Sequence, residues 1–142
     1  MQVKVKWINQ VKFKGESDSG HHVIMDGPEP SGGENQGMRP LEMMLLGMGG
    51  CTSFDVITIL KKSRQQVSSC EAHIDAQRAD SVPQVFTKIH IRFLVEGRNL
   101  DKYMVERAIN LSAEKYCSAT IMLNESVEIT HDFKISNASL TE

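Results

Sequence analysis

From Pro40 the chain runs through Leu41, Met44, Leu45, Met48, Cys51, Phe54, Ile57 and Leu60 before it reaches Lys61 and Lys62. Proline suits a first helical turn, Glu42 the positive end of the helix dipole and the two lysines its negative end. The spacing therefore predicts a helix of roughly six turns over residues 40–64. Its apolar residues cover nearly the whole circumference, and a helix of that kind has to be buried on most sides. In a chain of 142 residues, other helices or a second subunit must supply the cover. The most apolar run, Met43 to Cys51, spans nine positions and includes Gly47, Gly49 and Gly50. That is about half of what a bilayer crossing needs, so the expectation is burial in protein and no membrane span. Glycine costs about 1 kcal/mol against alanine inside a helix. Three of them around Cys51 point to a place where another backbone or a substrate approaches closely.

The flanking segments read as strands. Val3, Val5 and Trp7 alternate with Lys4 and Lys6, and Val11 and Phe13 with Lys12 and Lys14, the period of half-buried strands. A third short strand is expected over His22 to Asp26, which closes an N-terminal region of residues 1–26. Residues 27–39, with the run GPEPSGGENQG, have no periodicity and read as a mobile loop. After the helix, residues 65–142 hold strands and helices. Cys70, Ala72, Ile74 and Ala76 share one strand face, and Val85, Ile89, Ile91, Phe93 and Val95 another, with Pro83 in a hairpin connection. Asn99 is a good N-cap for a helix that should end near Tyr116. Ala119 to Leu123 add a further turn or two, and Val127 to Ile135 a last strand. This order lacks a βαβ alternation and gives one α+β domain over residues 1–142 with a mainly antiparallel sheet.

Composition narrows the function. The formal charge of -2 comes from interspersed acids and bases, so no basic footprint for nucleic acid is present. The N-terminus alternates from the start and lacks the basic-then-apolar order of an export signal, so a cytoplasmic protein is expected. Three cysteines without close spacing do not form a disulfide framework. In a reducing compartment, any bridge among them is transient rather than structural.

No Walker sequence, dinucleotide fingerprint or Gly-x-Ser-x-Gly elbow occurs, which leaves the thiols. Cys51, in the middle of the helix, has no side-chain base nearby in sequence, and its position alone fits a core cysteine as well as a reactive one. Cys117 sits at a break between two helical segments, where backbone N–H groups favour a thiolate, though it too reads alone as a core residue. Cys70 belongs to an apolar strand face. His21, His22, His73, His90 and His131 form no metal-binding spacing with the cysteines, so no metal and no cofactor is expected. His131 shares a face with Ile129 and Phe133 and reads as a satisfied core histidine.

The run Arg39-Pro40-Leu41-Glu42-Met43-Met44-Leu45-Leu46-Gly47-Met48-Gly49-Gly50-Cys51 resembles the OsmC/Ohr superfamily. There a proline opens the central helix and a cysteine lies eleven residues later, the spacing found here. A second family cysteine follows the next long helix, the place of Ser112-Ala113-Glu114-Lys115-Tyr116-Cys117. The strings Gly-Gly-Cys and Ser-Ala-Glu-Lys-Tyr-Cys are most similar to the YhfA-like branch. The resemblance implies an OsmC-like fold, an intertwined homodimer and an active site at the subunit interface. It also implies a cysteine-based hydroperoxide reductase in which Cys51 attacks, Cys117 resolves and an external dithiol restores the thiols.

Three positions depart from the family's peroxidases. Leu41 stands where they carry glutamate, and Glu42 follows one step later, about 100° around the helix. Between Met1 and Met38 there is no arginine to steady a thiolate, which leaves Arg39 as the nearest candidate. Ser118 replaces the usual proline after the second cysteine. Arg39 and Glu42 are therefore expected as supporting residues only. The rival expectation is an OsmC-fold protein that binds a small apolar ligand in a Met-rich pocket at the dimer interface.

Overall fold

The structure, a computed structural model, describes residues 1–138, and the chain divides into two compact units, Met1–Leu46 and the remainder from Gly47. In the first unit, β1 (Val3–Asn9), β2 (Lys12–Ser17) and β3 (His22–Met25) form an antiparallel sheet in the order β1-β2-β3. Gln10, at φ 45°, turns the first hairpin, and its carbonyl accepts the Trp7 indole N–H at 2.8 Å. The alternation of Val3, Val5 and Trp7 sets the register against Ser17, Gly15 and Phe13 as expected. It does not half-bury the strand, however, since β1 is exposed on both faces and Trp7 is 61% exposed.

The segment after β3, expected as a mobile loop, folds around one carboxylate. Buried Asp26 accepts the backbone N–H groups of Gly27 at 2.7 Å, Glu34 at 3.2 Å and Gln36 at 3.1 Å. The Lys12 ammonium donates to Gln36 Oε1 at 2.6 Å and pairs with Glu34 at 3.3 Å. A single 3-10 turn, Glu29–Ser31, lies within the loop. Aperiodic sequence here signals an Asp-centred turn network rather than missing structure.

The second unit carries β4 (Gln66–Arg78), β5 (Phe86–Arg98) and β6 (Glu128–Asn137). The first two pair antiparallel, while β6 runs parallel to β5 with Phe93 beside Phe133 and Ile91 beside His131. Parallel neighbours need a crossover connection, supplied here by α2 (Lys102–Leu111), a π turn over Ser112–Tyr116 and α3 (Ser118–Asn124). The expected absence of a βαβ unit is thus corrected, although the α+β class holds. The cap of α2 is Asp101 and not Asn99: the Asp101 carboxylate accepts the Tyr103 N–H at 2.9 Å, and Asn99 takes the left-handed φ of 52° that asparagine tolerates. Alternation in β5 buries Ile89, Ile91, Phe93 and Val95, and α2 buries Val105, Ala108 and Ile109. Burying each of these valine, isoleucine and phenylalanine side chains stabilises by about 1.5–3 kcal/mol.

The long helix is α1 (Pro40–Lys62). Within one chain it is not covered all round: Met48, Gly49, Thr52, Val56 and Leu60 form a single buried stripe, while Phe54 is 72% exposed. Gly49 explains one of the three glycines, because a Cβ there would meet Ile74 Cδ1 of β4 at 2.7 Å. Gly47 and Gly50 face open space, with nothing within 4 Å of a Cβ at either. By length and composition α1 is also apolar enough to cross a membrane, which the nine-residue run had not indicated. A core helix meets the same criterion, and here the stripe from Met48 to Leu60 packs on protein.

Candidate functional site

Cys51 and Asp55 are four residues apart on α1, so their side chains leave the same face of the helix. Cys117 arrives from the crossover, where a π turn appears between α2 and α3. Such single wide turns concentrate at functional positions. Here the Cys117 N–H donates to the Ser112 carbonyl at 2.8 Å, five residues back, and the extra residue lets both Ser112 and Cys117 address α1. One sulfur or carboxylate oxygen from each of Cys51, Asp55 and Cys117 lies within 4.8 Å of the others. All three cysteines of the chain are free thiols.

Hydroxyl groups organise this cluster. Ser112 Oγ donates to Asp55 Oδ2 at 3.0 Å, and Thr52 Oγ1 lies 2.8 Å from the same Ser112 oxygen. A serine has one proton to give, so Thr52 donates to Ser112 and Ser112 donates to the carboxylate. Thr120 makes two bonds to the Cys117 sulfur, from its backbone N–H at 3.4 Å and its hydroxyl at 3.1 Å. Cys117 thereby caps α3 through its sulfur.

The two thiols are not equivalent. Cys117 is 0% exposed, and burial pushes its thiol above the usual range, with neighbouring Cys51 adding in the same direction. The two Thr120 bonds oppose that rise without cancelling it. Cys51 is half-buried, beside Gly50 and its open side. Cys51 is thus the less enclosed of the two thiols. Chemically, the arrangement offers one half-buried sulfur, one enclosed sulfur and a carboxylate oxygen within 4.8 Å of both.

Of the residues expected from sequence, Cys51 and Cys117 come together. Arg39 and Glu42 are engaged at the start of α1: the Arg39 N–H donates to Glu42 Oε1 at 2.9 Å, the reciprocal half of a capping box, and the Arg39 guanidinium donates to the Gly37 carbonyl at 3.1 Å. Cys70 sits half-buried on its strand face, its thiol pushed up by burial and by the Glu71 charge. His131 bonds Asn110 Oδ1 at 3.0 Å, as a satisfied histidine should. Sequence reasoning missed Asp55, although an acid four residues beyond a helical cysteine was a legible signal. Thr52, Ser112 and Thr120 carried none.

An α+β fold that brings a central-helix cysteine against a crossover cysteine defines a small dithiol protein. The OsmC-like protein family matches residues 33–132, and the chain belongs to that family. It is 45% identical over 135 residues to protein YhfA of Escherichia coli (strain K12), covering 95% of this chain and 98% of that protein. Among solved structures it resembles a hypothetical protein from Aquifex aeolicus VF5, at TM-score 0.85 and 25% identity over 97% of each chain. The organic hydroperoxide resistance protein OhrB of Bacillus subtilis shares the fold, at TM-score 0.63 and 17% identity over 94% of this chain and 96% of that one.

Proposed function

We propose that this protein is a thiol-dependent redox enzyme that reduces organic hydroperoxides, with Cys51 as attacking thiol and Cys117 as resolving thiol. The observation that carries the reading is the approach of two sulfurs, remote in sequence, to within 4.8 Å, with Cys117 buried and Cys51 half-buried. The Cys51 thiolate attacks the terminal peroxide oxygen, the O–O bond breaks, and the alkoxide takes up a proton and leaves as an alcohol. Cys51 is then a sulfenic acid. The Cys117 sulfur attacks that of Cys51, a disulfide forms, and the hydroxyl leaves as water with the Cys117 proton, for which Asp55 is the relay. An external dithiol reduces the bridge and is itself oxidised. A bridge needs an S–S length near 2.05 Å, which a small movement of the crossover supplies.

The name of the fold relative OhrB supports hydroperoxide as the oxidant. Arg39 and Glu42 support the chemistry indirectly, by fixing the start of the helix that carries Cys51. The working form is a homodimer whose second copy covers exposed apolar groups such as Phe54. Its place is the cytoplasm, where reductant keeps the cycle turning.

Titration of reduced protein with cumene hydroperoxide, followed by mass spectrometry, should reveal a Cys51–Cys117 disulfide. Both thiols remaining free under excess oxidant would falsify the proposal. A second reading, a protein that binds a small ligand without peroxide chemistry, is favoured by one feature. A cavity of about 220 Å³ in the second unit is lined by Thr52, Phe93, Ile109, Thr120 and His131 among others. If that reading holds, native mass spectrometry of protein from cells shows a retained molecule, and Cys51→Ser leaves its binding intact.

A further inference from the structure

The cluster of Cys51, Asp55 and Cys117 is more than a thiol pair. Two sulfurs and a carboxylate oxygen, mutually within 4.8 Å, form a donor set of the kind that takes a borderline-soft divalent cation. Tetrahedral zinc with bonds of about 2.3 Å to sulfur and about 2.1 Å to oxygen holds such ligand atoms roughly 3.6 to 3.8 Å apart. The three groups need to close by little to reach that geometry.

Two further features resemble the surroundings of a metal ligand. Donors to the sulfur and to the carboxylate orient first ligands and hold their charge. Cys117 receives two such bonds from Thr120, and Asp55 receives one from Ser112, which Thr52 in turn supports. Three protein ligands leave a fourth position open for water or a small solute. Access is from the side of Cys51 and Asp55, both half-buried, while Cys117 closes the floor.

We infer that the reduced Cys51–Cys117 pair and Asp55 together bind one zinc-class divalent cation per chain, and that this cation and the peroxide compete for the same sulfurs. The inference rests on the thiol-pair reading of the site and adds its regulation. Binding converts two thiols to thiolates and releases two protons to solvent, with no electron transferred. Each bound sulfur donates one lone pair to the cation, which withdraws electron density and lowers its nucleophilicity toward peroxide. Formation of the disulfide removes both thiolates and expels the cation. The site thus reports the redox state of the cell as metal held or metal released.

The test uses the full chain, reduced and freed of metal, titrated with Cd²⁺ and followed by thiolate-to-cadmium charge-transfer absorption. Zn²⁺ affinity is measured in parallel by competition with a chromophoric chelator. Expected are one Cd²⁺ per chain, loss of the absorption in Cys51→Ser and in Cys117→Ser, and its retention in Cys70→Ser. Asp55→Asn should keep the absorption and weaken Zn²⁺ binding by more than the roughly 10- to 100-fold that loss of a supporting contact costs, because it removes a charged ligand. Saturating Zn²⁺ should slow peroxide-driven disulfide formation at least tenfold, with recovery on adding chelator. Absorption that persists in both Cys51→Ser and Cys117→Ser, or unchanged affinity in Asp55→Asn, overturns the site. A disulfide that forms while no cadmium binds sinks the metal inference alone. Cysteine-dependent cadmium binding in a protein that no hydroperoxide oxidises sinks the peroxidase reading alone, and the cation site stands without its redox release.

Discussion

Each unit of the molecule holds a carboxylate in a polar cluster, and the two are built on opposite plans. Asp26 is met by three backbone N–H groups and by the field of Lys12. Burial raises its carboxyl, yet the N–H bonds from Gln36, Gly27 and Glu34 and the Lys12 charge outweigh burial and hold it below the usual range. Asp55 has the Ser112 hydroxyl as hydrogen-bond partner and two sulfurs as neighbours. A carboxylate saturated by rigid backbone donors fixes a chain path. One held by a single rotatable hydroxyl keeps lone pairs for a proton or a metal. The difference separates a structural cluster from a chemical one without appeal to residue type, since both centre on aspartate.

Cysteine substitutions put the contrast under the greatest strain. Cys51→Ser is expected to abolish peroxide consumption and disulfide formation altogether. Cys117→Ser should abolish the disulfide while a Cys51 sulfenic acid persists, trapped by dimedone and read by mass spectrometry. Asp26→Asn, in the structural cluster, should leave the yield of Cys51–Cys117 disulfide per peroxide added unchanged. If Cys117→Ser forms no trappable sulfenate yet wild type forms the bridge, the order of attack proposed here is wrong.

Next in size is the cost of emptying each cluster. Asp26→Ala leaves the N–H groups of Gly27, Glu34 and Gln36 without their acceptor and removes the charge that faces Lys12, and buried donors without partners are costly. A fall in Tm of about 5 °C or more is expected by calorimetry. Asp55→Ala frees Ser112 alone and should shift Tm by much less, while slowing disulfide formation. Equal losses of Tm in the two variants would erase the distinction between the clusters.

How far these features were legible differs by their origin. The alternation of Cys70, Ala72, Ile74 and Ala76 sets the inward face of β4, so periodicity alone reads it. The parallel seat of β6 beside β5 does not show in either strand, because direction is decided by the crossover that joins them. Val3, Val5 and Trp7 show that alternation fixes register without guaranteeing cover. The Asp26 network escaped notice because its partners are main-chain groups, which every residue carries. Cys51 and Cys117 were readable from their contexts, whereas Asp55, which stands four residues beyond Cys51 on the same helix face, was missed. Thr120 was not, since its role depends on the sulfur of Cys117 standing in for an N-cap oxygen.

Thr120→Val isolates that role. The substitution removes the hydroxyl donor at 3.1 Å and keeps the backbone N–H and the volume. Loss of one buried hydrogen bond should cost about 1 kcal/mol of stability in urea unfolding. Because Thr120 opposes the effect of burial on Cys117, its loss should push that thiol still higher. The rate of alkylation of Cys117 in partly unfolding urea is unaffected by native geometry, whereas closure of the disulfide in buffer should slow several-fold and recover as pH rises. Thr120→Ser, which retains the donor, should restore closure. A Thr120→Val protein that closes its bridge at the wild-type rate at every pH would remove any chemical meaning from the cap.

The smallest effect belongs to the outer face of the second sheet, where the clusters give way to exposed ion pairs. Arg92 makes two bonds to Asp132, at 3.0 and 2.8 Å, and His90 lies 3.3 Å away. Hydrogen bonding from Arg92 is the main reason that the Asp132 carboxyl falls to about 2; burial opposes it, and the Arg92 charge and His90 reinforce it. A carboxyl depressed in the folded state binds fewer protons there than in the unfolded chain. Its contribution is therefore complete above the unfolded value of about 4 and is lost as pH falls from there toward about 2. Exposed pairs of this kind contribute little. Asp132→Asn should thus lower the urea midpoint slightly at neutral pH and not at all near pH 2, the wild-type midpoint falling to meet that of the variant as acid is added. A difference that persists undiminished at pH 2 shows that Asp132 acts through packing in β6 and not through its charge. In that case even this surface carboxylate belongs with Asp26, and exposure ceases to predict which acids are structural.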